Sequence, residues 1–417
     1  MTFSKSTLYL VASAAFFVTG TLAQAETIKV GVIATFSGPN AIWGKQFREA
    51  IDVYVAQHGD EVGGHKIQFI YKDVGGPNAD ASKAAAQELL VRDGVKYLAG
   101  FDFTPNAVAV APLTKQAKVP AVIFNAATSS INKQSDFFLR TSFTLTQLAQ
   151  PAAEWAAKNG SKKVVTAVSD YNPGIDAETA FSASFEKDGG AVLEKIRMPL
   201  QTNDFAPFMQ RIKSSGADTV FTFLPVGPAT FAFTKAYNEN GLKAAGVSFL
   251  GGGETDETTL DALGDQAIGL VTAYHYSDVH DSALNKSFVA KLQELHPGSR
   301  ANMASIGAYD GAELIYRMIK AAGSDGTKAI EAAKGMEWES PRGPVKMDPV
   351  SRTVVQNVYL RRVEKRRGRQ TGQSGVRDCP ERTGPRLQSL IHGERGGSFP
   401  PRNARPRKSQ VRECPSF

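Results

Sequence analysis

From Thr27 onward the chain alternates short apolar runs with stretches of helical period. Thr27–Ala34 (TIKVGVIA) predicts a buried strand, since an unbroken apolar run of this kind suits a strand covered on both faces. A loop bearing Gly and Pro follows, and then Ala41–His58 predicts a helix. Ile67–Lys72 predicts a strand, Ala79–Asp93 a helix with Asn78 as N-cap, and Tyr97–Gly100 a strand. Pro105 fits the first position of another helix, where its missing N–H is not needed. Ala121–Phe124 is again strand-like.

The alternation resumes after Thr141. Helices are predicted over Leu145–Asn159, Ile175–Asp188, Phe205–Ser214 and Pro228–Asn240. Strands are predicted over Lys163–Ser169, Ala191–Met198, Thr219–Phe223 and Val247–Leu250. Strands separated by helices of this length imply parallel sheets with helices on both faces. Two such runs predict an α/β protein of two doubly wound parallel-sheet lobes. In such sheets ligands bind beyond the carboxyl ends of the strands.

The strand-exit loops are therefore where chemistry is sought. They read Phe36-Ser37-Gly38, Asp102-Phe103-Thr104, Asn125-Ala126-Ala127-Thr128, Asp170-Tyr171-Asn172-Pro173-Gly174 and Gly251-Gly252-Gly253-Glu254-Thr255-Asp256. Thr104 and Thr128 offer hydroxyls beside free backbone N–H groups, which suits a small carboxylate without any Lys or Arg. Both threonines also suit plain N-capping, and one residue can do both. Trp43, Phe103 and Tyr171 either wall an apolar pocket or pack loop against lobe. The glycines at 251–253 allow positive φ or close backbone approach.

Composition changes the picture at the two ends of the chain. Residues 361–417 carry fifteen Lys or Arg and five Asp or Glu, a net +10 against +7 for the whole chain, so residues 1–360 are net −3. The basic character belongs to the tail, and the body is a mildly acidic globular protein that does not call for nucleic acid. From about Arg366 the tail (366–417) is rich in Arg, Gly, Pro and Ser and has no periodic apolar face, so it is expected to be disordered. Its abrupt onset after Val363-Glu364-Lys365 reads as an out-of-frame ending, which sequencing the gene across that point tests. At the other end, residues 1–25 read as a signal peptide. Lys5 is followed by an apolar Leu8–Val18 core, and Ala23-Gln24-Ala25 offers a small-x-small cleavage pattern before Glu26. The expected location is the periplasm. Cys379 and Cys414 both lie in the tail, and a body free of cysteine is compatible with an oxidising compartment.

Enzyme signals are sparse. No two histidines of the body have the i, i+4 spacing of a helical zinc motif, and no Gly-x-Ser-x-Gly turn occurs. Gly38-Pro39-Asn40-Ala41-Ile42-Trp43-Gly44-Lys45-Gln46 imitates a phosphate loop, but it has five residues between its glycines and Gln46 where a Ser or Thr is needed. No catalytic residue, metal or cofactor is expected.

Together Ile33-Ala34-Thr35-Phe36-Ser37-Gly38, Trp43-Gly44, Phe103-Thr104-Pro105, Asn125-Ala126-Ala127-Thr128, Ser169–Gly174 and Ala308-Tyr309-Asp310-Gly311 resemble the leucine/branched-chain amino acid binding class of periplasmic proteins. They look most like its aromatic-acid-binding subgroup. The resemblance covers about residues 27–364. It implies a type I periplasmic-binding fold with a three-strand hinge, lobe one being 26–140 plus 275–330 and lobe two 141–274 plus 331–362. It implies a monomer that hands a small carboxylate to the permease subunits of an ABC importer by hinge closure. The rival on the same fold is a secreted sensor that reports to a receptor. Carried over by position, Thr104 and Thr128 receive the ligand carboxylate, the Ala126 carbonyl accepts from an ammonium, Ala127 lies between them, and Trp43 stands at the mouth. The acidic residue that pairs with the ammonium in amino-acid binders falls on Gly253, with Glu254 beside it. If Glu254 reaches the cleft an amine fits; if it points away, an aromatic or oxo acid is favoured. Pro173 stands where the family has a tyrosine, with Tyr171 two residues earlier, and Pro225 and Val226 stand near another.

Overall fold

The computed structural model describes residues 26–200 and 202–365 together with the backbone of 374–379. The expected signal peptide and most of the tail lie outside those residues. The first lobe begins with β1 (Thr27–Ala34), α1 (Ile42–His58), β2 (Glu61–Val62), β3 (His65–Asp73), α2 (Ala79–Glu88), β4 (Tyr97–Gly100), α3 (Thr104–Ala117), β5 (Ala121–Ile123) and β6 (Phe138–Arg140). The second comprises α4 (Leu145–Lys158), β7 (Lys163–Ser169), α5 (Asn172–Lys187), β8 (Ala191–Met198), α6 (Ala206–Ser214), β9 (Thr219–Phe223), α7 (Pro228–Glu239), β10 (Ser248–Gly251), α8 (Glu257–Leu263) and β11 (Val271–Tyr274). The chain then returns through α9 (Ala283–Leu295), α10 (Met303–Ala322), α11 (Gly326–Ala333), β12 (Glu337–Ser340), β13 (Gly343–Met347) and β14 (Val354–Val355). It ends with β15 (Tyr359–Lys365) and β16 (Ser374–Cys379) in the second lobe.

The first sheet has strand order β2-β3-β1-β4-β5-β6 and the second β16-β15-β11-β10-β9-β7-β8. Every pairing between β3 and β6 and between β11 and β8 is parallel; β2, β15 and β16 pair antiparallel at the edges. The central strands are buried along almost their whole length, with Val30, Val32, Ile33, Leu98, Ala99, Val165, Ala167, Val220 and Phe221 fully covered. That explains their continuous apolar runs. Strand order reverses between β1 and β4 in one sheet and between β7 and β9 in the other. Both sheets therefore aim a topological switch point at the crevice between them.

The chain crosses between lobes at 141–144, 275–282 and 356–358. Thr144 forms a capping box with Gln147, so the first crossing ends at a defined helix start. The structure differs from the expected boundaries over 331–355, whose strands pair with one another outside the second sheet and pack mainly on the first lobe. Asp310 of α10 accepts from Trp338 Nε1 at 3.0 Å and from Ser340 Oγ at 2.8 Å. Arg352 donates to the Phe138 and Asn132 carbonyls, and Thr353 bridges Arg140. Only β15, and β16 beyond it, joins the second sheet. The strand at 374–379 also corrects the expectation of disorder for that stretch: β15 without it is an edge whose N–H and C=O groups invite a partner.

One close approach fixes how α10 sits on the first lobe. A Cβ built on Gly307 meets the Phe124 carbonyl oxygen at 2.1 Å, and Thr141 Oγ1 donates to Gly307 O at 2.8 Å. The Phe124 carbonyl is backbone and cannot swing aside. Gly307→Ala is therefore expected to lose about 1–3 kcal/mol of stability through overpacking. Urea unfolding measures this, and an unchanged midpoint contradicts it.

Candidate functional site

The switch-point loops meet around a cavity of about 470 Å³, mouth included. Trp43, Phe103, Thr104, Ala126 and Ala127 line it from the first lobe, and Tyr171 and Gly253 from the second. The walls also include Asp102 and Asn125 of the strand-exit loops, and Phe143, Phe223, Leu224, Tyr274 and Met303, which the sequence did not single out. Pro173, Pro225 and Val226 line it as well. Trp43 and Phe103 meet edge to face, with centroids 6.3 Å apart at 71°. Tyr171 and Phe223 lie nearly parallel, 6.4 Å apart at 15°.

Asp102 organises the first-lobe side. Its Oδ2 accepts the Thr35 N–H at 2.9 Å, and its Oδ1 accepts the Phe103 N–H and Asn106 Nδ2 at 3.1 Å each. Asn125 Nδ2 donates to the Asp102 carbonyl at 2.8 Å. Burial pushes the Asp102 carboxyl upward, against the donors that surround it. The preceding Phe101 is held at φ 62°, an uncommon left-handed conformation for a bulky residue, which is what turns the chain into this loop.

Thr104 opens α3 in the cavity wall. Its Oγ1 lies 2.8 Å from Thr128 Oγ1. Thr128 itself stands behind that contact and is not among the lining residues. Fully buried Arg140 supports it, donating to the Thr128 carbonyl at 2.7 Å and the Phe143 carbonyl at 3.3 Å. Burial lowers the Arg140 guanidinium to about 9. Sequence reasoning missed Arg140, although a lone Arg in the apolar run Phe137–Phe143 was a visible signal.

Glu254 does not line the cavity. Its side chain is fully buried in its own loop, with Oε1 accepting the Leu224 N–H at 3.0 Å and Oε2 close to Gly251. Burial pushes its carboxyl up to about 8, opposed by the backbone N–H groups of Leu224, Gly252 and Gly253. Gly253, at φ 149°, supplies the turn that folds the carboxylate inward. The lobes touch across the cleft. Ser129 N donates to Asp176 Oδ2 at 2.7 Å, Asn302 Nδ2 to Asp256 Oδ1 at 3.1 Å, and Arg300 to the Glu257 carbonyl at 3.1 Å.

Paired α/β lobes, linked by repeated crossings and closed around a small cavity at both switch points, define a two-lobed solute-binding protein. Over residues 27–370 the chain matches the periplasmic binding protein family, and it belongs to that family. It is 53% identical over 362 residues to Leu/Ile/Val-binding protein homolog 6 of Brucella abortus (strain 2308), covering 85% of this chain and 92% of that one. A solute-binding protein of an ABC transporter from R. palustris, solved with 4-hydroxybenzoate, is 54% identical with a TM-score of 0.80, covering 85% of this chain and 98% of its own. One from Rhodopseudomonas palustris BisB5, solved with 3,4-dihydroxybenzoic acid, is 44% identical with a TM-score of 0.79, over 86% and 99%. The leucine-binding LivK of Thermotoga maritima, at 20% identity and a TM-score of 0.73 over 84% and 97%, shares the type I fold. The protein is thus an extracytoplasmic solute-binding component of the ABC transporter class, a class that binds rather than transforms its ligands. Among the described residues no helix is long and apolar enough to cross a membrane.

Proposed function

We propose that this protein captures a small aromatic carboxylate in the interlobe cleft and delivers it from the periplasm to the permease subunits of an ABC importer. One observation carries the reading: the second lobe meets the ligand with Tyr171, Phe223, Pro225 and Val226, while Glu254 turns away from the cavity. An ammonium group brought against this wall finds no carboxylate from the second lobe, the first-lobe Asp102 carboxylate already accepts from Thr35, Phe103 and Asn106, and an unpaired buried charge is strongly disfavoured. A flat ring bearing one carboxylate finds aromatic faces and edges instead. The two R. palustris proteins solved with hydroxylated benzoic acids support this choice; the Leu/Ile/Val-binding relatives favour a branched-chain amino acid as the second reading.

The ligand carboxylate binds first to the first lobe. Thr104 offers its hydroxyl at the start of α3, where the helix dipole favours an anion. The Arg140 guanidinium behind Thr128 adds positive charge in a site of low dielectric. Closure then brings Tyr171 and Phe223 onto the ring. Ligand favours the closed form only through contacts made to both lobes.

Thermal shift of the purified protein with benzoate, 4-hydroxybenzoate, 3,4-dihydroxybenzoate, leucine and valine tests the proposal, because a ligand at free concentration L that binds only the folded state stabilises it by RT ln(1 + L/Kd) and so raises the melting temperature. The benzoates are expected to raise it and the amino acids not. A response confined to leucine and valine overturns the reading. Thr104→Val, which removes only the hydroxyl, is expected to weaken every benzoate about tenfold, the worth of one net hydrogen bond. Unchanged affinities by titration calorimetry remove Thr104 from the site.

A further inference from the structure

Two polar atoms on the cavity-lining residues have no hydrogen-bond partner: Asn125 Oδ1 and Trp43 Nε1. Asn125 is only 8% exposed, so an unpaired oxygen there is costly. The orientation of its amide is fixed by chemistry. Nδ2 sits 2.8 Å from the Asp102 carbonyl, which can only accept, so nitrogen belongs at that end and the oxygen at the other. No neighbouring donor is free to turn towards it from Asp102, whose carboxylate already accepts from Thr35, Phe103 and Asn106. Among the other lining residues, the Thr104 hydroxyl is engaged with Thr128, the Tyr274 hydroxyl with Asp256 and Met303, and the Tyr171 hydroxyl does not bond Asn125 Oδ1. The site thus holds one buried acceptor awaiting a donor and, in the Trp43 indole, one donor awaiting an oxygen.

We infer that Asn125 is a specificity-determining residue whose Oδ1 accepts a hydrogen bond from a ring hydroxyl, so that the protein selects hydroxylated aromatic acids over unsubstituted benzoate. The inference rests on the aromatic-carboxylate reading above and deepens it. Benzoate carries no donor and leaves Asn125 Oδ1 buried and unpaired. A phenolic hydroxyl donates to it and keeps lone pairs for the Trp43 N–H. A site built to hydrogen-bond a ligand hydroxyl rejects the analogue that lacks it, because its own polar group is stranded. An ammonium could also donate, but Glu254 is turned away and the Asp102 carboxylate is already taken by Thr35, Phe103 and Asn106.

Titration calorimetry on the whole protein with benzoate, 4-fluorobenzoate and 4-hydroxybenzoate is the test. Wild type is expected to bind 4-hydroxybenzoate roughly tenfold or more tightly than benzoate, with 4-fluorobenzoate close to benzoate. In Asn125→Ala the preference should fall to about one. A preference that survives in Asn125→Ala places the hydroxyl elsewhere and overturns the inference. If that variant does not fold, the wild-type ligands decide: 4-fluorobenzoate binding as tightly as 4-hydroxybenzoate overturns it. Equal binding of all three by wild type defeats the role of Asn125 but leaves the aromatic-acid reading intact. Binding of none of them, with leucine bound, defeats that reading first.

Discussion

Arg361→Met is expected to lower the unfolding free energy by about 3–5 kcal/mol, the cost of stranding one half of a buried ion pair. Arg361 and Glu257 are both fully buried, with Nη1 2.9 Å from Oε1. The same guanidinium donates to the Tyr276 carbonyl at 2.7 Å and to the Thr255 carbonyl at 2.9 Å, and lies 4.4 Å from the Tyr274 ring centroid. It therefore joins β15, the second crossover and the loop that leads from Gly253 into α8. Met fills comparable volume but leaves the Glu257 carboxylate without its paired counter-charge, with only Arg300 remaining as a nearby cation. Urea unfolding followed by circular dichroism gives the loss. Adding Glu257→Leu should recover much of it, since a buried pair replaced on both sides by apolar groups is often neutral. A single variant within about 1 kcal/mol of wild type would show that the pair contributes little beyond what methionine packing supplies.

The parts of the fold that were legible in the sequence are those whose surroundings are uniform. Tyr97–Gly100, Lys163–Ser169, Ala191–Met198 and Thr219–Phe223 form strands at the residues expected. Most lie inside a sheet with helices on both faces, so their hydrophobicity needs no partner to be understood. Asn78 caps α2 as read, accepting the Ala81 N–H at 3.0 Å. Boundaries moved where proline chemistry competes: α5 begins at Asn172, because Pro173 suits a first helical turn as well as the loop to which it was assigned. The predicted helix at Ala79–Asp93 changes to a π turn over Leu89–Asp93, which leaves no mark on apolar spacing. Long-range polar contacts were out of reach. The Asp310 bonds that draw Trp338 and Ser340 to the first lobe, and the backbone N–H groups that fold Glu254 inward, join positions with no common sequence pattern. The strand-exit loops were found because their place follows from topology. Which side chains in them face the ligand depends on individual hydrogen bonds, as the inward Thr128 and the lining Asn125 show.

Acidification below about pH 6.5 is expected to destabilise the protein through His275. This ring lies at the second crossover, fully buried, stacked on Phe143 with centroids 4.6 Å apart at 28°. Neither ring nitrogen has a hydrogen-bond partner. Burial, with Arg342 and Arg361 nearby, holds its pKa well below the usual 6.5. Tyr274 packs edge-on from the same strand end. Above the unfolded value both states are neutral and His275 imposes no pH dependence. Below it the unfolded chain binds a proton that the folded state refuses, so stability falls by about 1.4 kcal/mol per pH unit until the depressed folded pKa is reached. His275→Phe removes the proton uptake and keeps the stacked ring. Its stability curve over that range should be flatter than wild type by close to one proton, read as the difference in slope of unfolding free energy against pH. Parallel curves would mean that His275 finds a proton acceptor in the folded state.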